Sequence, residues 1–300
     1  MAKPDRGALI TKTHKILKKH YKPVEYAPRP LLENLLFAAC LENARYEAAE
    51  AAYKALAEGF FDWNEVRVST VEELAEAISM HPDRKTAATN AKKLLYSVFE
   101  STYSFELENM KKLNLGAAIQ KLEKLEGATP FIVAAVTQAS LGGHSIPLDH
   151  GAFIALKAVG IAADSDESKG VVPGLERAIP KSKGVEFGSL LHQFGADLFA
   201  SPYSTNLHKV LLEINPAAKD QLPKRPSKAA AKAPPPPAPE LKKARKPDEK
   251  GRHPESEKKH PAPPAKKPEA VKKSAAPVRK PEKVSPKKKS GASIAKRKPR

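Results

Sequence analysis

The stretch Leu122-Glu123-Lys124-Leu125-Glu126-Gly127-Ala128-Thr129-Pro130-Phe131-Ile132-Val133-Ala134-Ala135-Val136 continues, after a short interval, into Gly142-Gly143-His144-Ser145-Ile146-Pro147-Leu148-Asp149-His150. It predicts a helix over 117–125, a tight turn that Gly127 allows, and a second helix over 131–141 opened by Pro130. Gly142-Gly143 ends that second helix, Pro147 restarts the chain, and a third helix is expected over 148–159. A helix that begins directly after a tight turn presents free backbone N–H groups and the positive end of its dipole. Both suit a phosphate oxygen. Gly127, Ala128, Thr129 and Pro130 are therefore candidate phosphate contacts, resting on backbone amides and the Thr129 hydroxyl, since the helix that follows carries no Lys or Arg.

Outward from this hairpin the periodicity is helical. Residues 8–20 form a basic helix with Leu9, Ile16 and Leu17 as its apolar contacts. Pro30 fits a first helical position, and 31–41 is apolar nearly all round, as a central buried helix should be. Ala-rich 47–56 continues the pattern. Ser69 and Thr70 with Glu72 and Glu73 offer two overlapping capping boxes, and Pro82 starts a helix with Leu94, Leu95, Val98 and Phe99 on one side. Asn114-Leu115-Gly116 reads as a break, and 160–184 as a loop-rich connection with an acidic patch at Asp164, Asp166 and Glu167. Helices are expected over 185–200, stopped by Ser201-Pro202, and over 207–214. Strand-like alternation is absent, so the body is expected to be all-α.

Charge divides the chain. Residues 217–300 hold 27 Lys and Arg against 8 Asp and Glu, with 17 prolines and no Phe, Trp or Tyr. Such a segment cannot bury enough apolar surface to offset its ordering entropy, so a disordered basic tail is expected there. Residues 1–29 form a basic arm and first helix, with eight Lys and Arg against Asp5 and Glu25. Residues 30–216 carry a net charge of −7, an unusual balance for a nucleic-acid-binding core. The single cysteine, Cys40, excludes a disulfide framework, a Cys-based zinc site and a thiolate-held iron–sulfur cluster, and its apolar neighbours mark it as a buried structural thiol. No run of about 18 apolar residues exists to span a membrane, and no apolar segment follows the first six residues, so the chain is expected to be intracellular.

The hairpin, the carboxylate after it and the flanking order of helices resemble the helix–hairpin–helix DNA glycosylases of the endonuclease III superfamily, over roughly residues 8–215. The resemblance implies a two-lobed helical body containing the hairpin and followed by the basic tail. Its DNA partner would be double-stranded, and the protein would act as a monomer in the cytoplasm or nucleoid, or in the nucleus of a eukaryote. In that family a catalytic Asp follows the hairpin, and Asp149 stands in its place. Lyase-competent members carry a Lys eighteen positions earlier, where this chain has Phe131. A carboxylate beside the anomeric carbon stabilises the developing oxocarbenium charge and positions water, whereas strand cleavage needs an amine that forms a Schiff base. The expected activity is therefore monofunctional base release without lyase chemistry. Asp149 also reads as an ordinary helix N-cap, and the two roles are compatible.

Other candidates follow from the same resemblance. Phe131 and His150 would line the base pocket. Glu42 and Asn43 fall near the loop that fills the gap left by a flipped base, with a plain surface-loop role as the competing reading. The hairpin departs from the family in having Thr129 where a second Gly is usual. The family's four cluster cysteines are missing, so no cofactor is expected, and Phe194, Phe199 and Tyr203 are candidates to pack the space. His144 and His150 show no recognised metal spacing, so no metal is expected. The rival to an active enzyme is a glycosylase scaffold that binds DNA without catalysis, or an architectural nucleoid protein.

In the tail, Lys287-Lys288-Lys289 and Lys296-Arg297-Lys298 are dense basic clusters suited to sequence-blind phosphate neutralisation. Deleting residues 217–300 should remove most non-specific DNA affinity and flatten its salt dependence, measured by titrating duplex at several salt concentrations. Unchanged affinity at every salt concentration would show that the tail is not the electrostatic anchor.

Overall fold

The structure, a computed structural model, describes residues 5–225. Its body is built from α1 (Arg6–His20), α2 (Leu31–Leu41), α3 (Tyr46–Glu58), α4 (Trp63–Val68), α5 (Val71–Ala77), α6 (Arg84–Thr102), α7 (Leu115–Glu123), α8 (Pro130–Ala139), α9 (His150–Ala158), α10 (Asp164–Lys169), α11 (Leu175–Ala178), α12 (Lys181–Ala200) and α13 (Thr205–Ile214). No strand occurs among the described residues, so the expected all-α class holds. None of the described helices is long and apolar enough to cross a membrane.

Local signals explain most boundaries. Of the two capping options, Thr70 is used: its hydroxyl accepts from the Glu73 amide at 3.2 Å, and the Glu73 carboxylate accepts from the Thr70 amide at 2.8 Å. Five expectations need correction. Pro30 stands just before α2 as its cap, and the Glu108 carboxylate accepts from the Leu31 amide at 2.7 Å. Pro82 likewise precedes α6, which Asp83 caps. Asn114-Leu115-Gly116 is a helix start, because the Asn114 side chain accepts from the Ala117 amide at 2.8 Å. The stretch 160–184 holds the short helices α10 and α11, which periodicity over four to six residues cannot reveal. Pro216–Asp220, inside the region expected to be tail, forms a 3-10 turn with Ala218 buried, so the packed body extends beyond residue 216. The remainder of the expected tail, with Lys287, Lys288, Lys289, Lys296, Arg297 and Lys298, lies outside the described residues.

Two apolar cores form two lobes. One is made by α2 to α8 around Leu35, Leu36, Leu94, Leu95 and Val136. The other joins α1 to α9–α13 through Leu17, Leu156, Phe187, Leu190 and Leu211. The first helix therefore packs with the last ones, and 21–30 runs extended back to the other lobe. The Ser189 hydroxyl accepts from the Val24 amide at 2.8 Å, and the Tyr21 hydroxyl donates to Asp197 at 2.9 Å, tying this strap to α12. Cys40 is fully buried, and burial pushes its thiol up to about 12, as a structural role requires.

The closest helix contact is between α9 and α12. A Cβ on Gly151 would lie 2.0 Å from the Gly195 carbonyl oxygen, and one on Gly195 would lie 2.5 Å from the Ala152 amide nitrogen. Only two glycines let these backbones meet, which fixes the start of α9 against the middle of α12. Gly195→Ala is expected to cost at least about 1–3 kcal/mol in urea unfolding, because the clash is with backbone that cannot rotate away. A loss below about 0.5 kcal/mol would show that the crossing relaxes easily.

Candidate functional site

Asp149 is the cap of α9. Its Oδ1 accepts from the Ala152 amide at 2.8 Å, the bond its N-cap reading requires. Its Oδ2 lies 3.0 Å from Nδ1 of His192 on α12, with both side chains buried, at 0 % and 3 % exposure. This approach is too oblique to count as a formed hydrogen bond, and neither atom has another partner. The other nitrogen of His192, Nε2, lies 3.0 Å from the Ala44 carbonyl in the α2–α3 loop. The sequence gave no reason to single out His192, which sits 43 positions from Asp149 and meets it only through the Gly151–Gly195 crossing.

The α2–α3 loop closes over the same point. Asn43 adopts a left-handed conformation (φ 60°), which Asn tolerates, and its Oδ1 accepts from the His150 amide at 3.1 Å. Glu42 reaches the hairpin, where its carboxylate accepts from the Thr129 hydroxyl at 3.0 Å. Burial, then the nearby Asp149 and Asp83 charges, push Glu42 up to about 7 despite that hydrogen bond. Both residues thus tie the α2–α3 loop to the hairpin and to the head of α9. The neighbouring α5–α6 loop is docked by His81, whose Nε2 lies 2.7 Å from the Cys40 carbonyl, and it carries Met80 at 82 % exposure.

The hairpin forms as expected between α7 and α8, with Pro130 at the first helical position. Two of its candidate residues do other work than anticipated. Gly127 has φ 87°, and the face where its Cβ would stand is packed on α6, 2.7 Å from the Asn90 carbonyl oxygen. Its missing side chain therefore serves helix packing. The Thr129 hydroxyl is committed to Glu42 and to the Ile132 amide at 3.2 Å. The amides of Gly127 and Thr129 take no partner among the described residues, while Ala128 bonds back to Leu125 at 3.1 Å.

Phe131 is buried and tilts against the His192 ring, with centroids 5.5 Å apart. Together with Tyr26, Phe37, Asn34, Gln138 and His192 it lines a cavity of about 60 Å3 between the lobes. That volume holds a few waters and is far below the roughly 300 Å3 at which ligand pockets begin, so a guest must displace a wall. A wider cleft of about 450 Å3 lies on another side of α8, lined by Leu115, Ile119, Val133 and Val172, and Asp149 lines neither space.

His150 points away from this cavity, with Nδ1 2.5 Å from Glu167 and its ring edge-on to Phe199 at 6.0 Å. Burial pushes Glu167 upward, but hydrogen bonds from Lys157 and His150 hold it below the usual carboxylate range. His144 is held by the Ile179 carbonyl at 2.8 Å. No group of three His, Cys, Asp or Glu is arranged to hold a metal among the described residues. In residues 190–203, where the resemblance would place an iron–sulfur cluster, Phe194 is core while Tyr203 is exposed. The only thiol, Cys40, is sealed in the other lobe, so the donor set does not fit such a cluster.

No protein-family model matches this sequence, and no curated protein matches it. Among solved structures it is similar to an endonuclease III in a non-covalent DNA complex, at 20% identity over 72% of this chain and 100% of that chain, with a TM-score of 0.51. The body has the endonuclease III-like helix–hairpin–helix glycosylase fold. Weaker likenesses run to a thermostable thymine-DNA glycosylase (14% identity, 67% of this chain and 88% of that chain, TM-score 0.45). Another is an H. pylori 3-methyladenine DNA glycosylase bound to 1,N6-ethenoadenine (16%, 71% and 98%, TM-score 0.41). In this fold Asp149 heads α9, after the hairpin, and Phe131 is the second residue of α8.

Glu42 yields a pH test. A carboxyl raised from 4.5 to about 7 in the folded chain contributes stability that is complete below 4.5 and is lost as pH rises through about 7. Glu42→Gln keeps an acceptor for Thr129 and cannot ionise. It should be more stable than the parent by about 1–2 kcal/mol at about pH 8, discounted for partial exposure, with the gap closing toward about pH 5. Urea melts across that range check it; a constant gap would show that Glu42 is solvated.

Proposed function

We propose that this protein is a monofunctional DNA N-glycosylase: it binds duplex DNA, takes one base out of the stack and hydrolyses its bond to the sugar with Asp149. The observation that carries this reading is the carboxylate at the head of α9, set against the His192 ring that walls a small aromatic cavity, in a glycosylase fold. Tyr26, Phe37, Phe131 and His192 supply ring faces on which a flipped base can stack, and Asn34 and Gln138 supply amides that can meet its edge. The free amides of Gly127 and Thr129 suit a backbone phosphate. Met80, exposed on the loop that His81 docks to the Cys40 carbonyl, suits the wedge that fills the vacated stack. The endonuclease III similar in fold is a DNA complex, which supports DNA as the ligand.

An aromatic ring at 131 excludes an amine at that position, so the abasic strand would stay intact. Asp149 is enclosed as the structure stands, and the cavity is too small for a base. Productive binding therefore requires His192 or Phe131 to swing aside.

Full-length protein should be incubated with duplexes each carrying one lesion, with products examined before and after alkali. Breaks are expected only after alkali, for at least one lesion, and Asp149→Asn should abolish them. Breaks without alkali would show that another residue supplies a nucleophile. Binding to every duplex with no base release would leave the non-catalytic scaffold, or an architectural nucleoid role, as the function.

A further inference from the structure

We propose that Asp149 and His192 hold one proton between Oδ2 and Nδ1, and that His192 is the positioning residue of Asp149. Nε2 of His192 faces the Ala44 carbonyl at 3.0 Å, and a carbonyl oxygen can only accept, so Nε2 carries a hydrogen. A neutral ring would then turn the bare lone pair of Nδ1 toward a carboxylate oxygen 3.0 Å away. Neither side chain is solvated, and neither atom has another partner to absorb the repulsion. A buried polar pair of this kind is stable only when satisfied. One added proton, on Nδ1 as imidazolium facing carboxylate or on Oδ2 as a carboxylic acid facing imidazole, satisfies both atoms after a small rotation of the ring.

The surroundings favour keeping the proton inside. Phe131 covers the ring at 5.5 Å, and Gly151 against Gly195 prevents α9 and α12 from sliding apart. His192 also forms part of the cavity wall. The ring that orients Asp149 is thus one that an incoming guest must displace, so filling the cavity and freeing the carboxylate are a single movement. That consequence rests on the proposed base-release function; the shared proton itself does not.

The full-length protein, labelled with 15N at histidine, gives a direct readout near neutral pH. His144 and His208 serve as internal references, since each also offers Nε2 to carbonyl oxygens and neither has a hydrogen-bond partner for Nδ1 among the described residues. Nδ1 of His192 should resonate away from the bare-nitrogen position of those two. Asp149→Ser keeps a helix cap but removes the second oxygen, and should move His192 to the bare position. A bare Nδ1 in the parent, or a signal indifferent to Asp149→Ser, overturns the proposal. A second arm uses whichever lesion the parent releases. His192→Asn, which can still donate to Oδ2, should retain release within about tenfold, while His192→Leu should lose about a hundredfold or more with fold and DNA binding intact. Equal losses in both variants would reduce His192 to a packing role. If the parent releases no base, the NMR result still decides the shared proton, and the failure belongs to the proposed function alone.

Discussion

The start of α9 is held by backbone on backbone. Gly151 and Gly195 leave no room for a single Cβ between two helices, and every feature of the site is measured from that contact. It puts the α9 cap, Asp149, opposite the turn of α12 that carries His192. Interiors this dense do not deform continuously, so the relation between the two side chains is as rigid as the crossing. α12 adds its own ties: Ser189 takes Val24, His192 takes Ala44, and Asp197 takes both Tyr21 and Arg45. One long helix of the C-terminal lobe thereby gathers the strap and the α2–α3 loop of the other lobe around one buried carboxylate.

Around that carboxylate the polar groups are accounted for with little left over. Oδ1 is satisfied by the helix it caps, while Oδ2 has only His192. Glu42 lies at the head of α8, where a phosphate would be drawn by the same free amides, and desolvation favours its proton. A neutral Glu42 removes a charge that would repel DNA there, whereas an ionised one competes with it.

Phe131 gives the cavity its character. An ammonium there would be buried against Phe37, Tyr26 and His192 at high desolvation cost, while a phenyl ring supplies stacking surface at none. Tyr26, whose hydroxyl burial pushes up to about 12, stays neutral and contributes its ring. The cavity therefore offers aromatic faces and one imidazole, His192, behind which the Asp149 carboxylate lies.

The sequence alone determined the helical class, the hairpin and the cap at Asp149. These depend on interactions within a few residues: Pro130 at a helix start, the Thr70 and Glu73 exchange, and a carboxylate accepting from an amide three residues on. The family resemblance carried by the hairpin also put Phe131 at the position where lyase-competent members have a lysine. The tertiary structure alone decided that Gly127 serves α6, that Thr129 is occupied by Glu42, and that His150 turns toward Glu167. It alone joined Asp149 to His192. These are contacts between elements far apart in the chain, set by which backbones can approach closely, and no local pattern encodes the distance between two helices that meet through a pair of glycines.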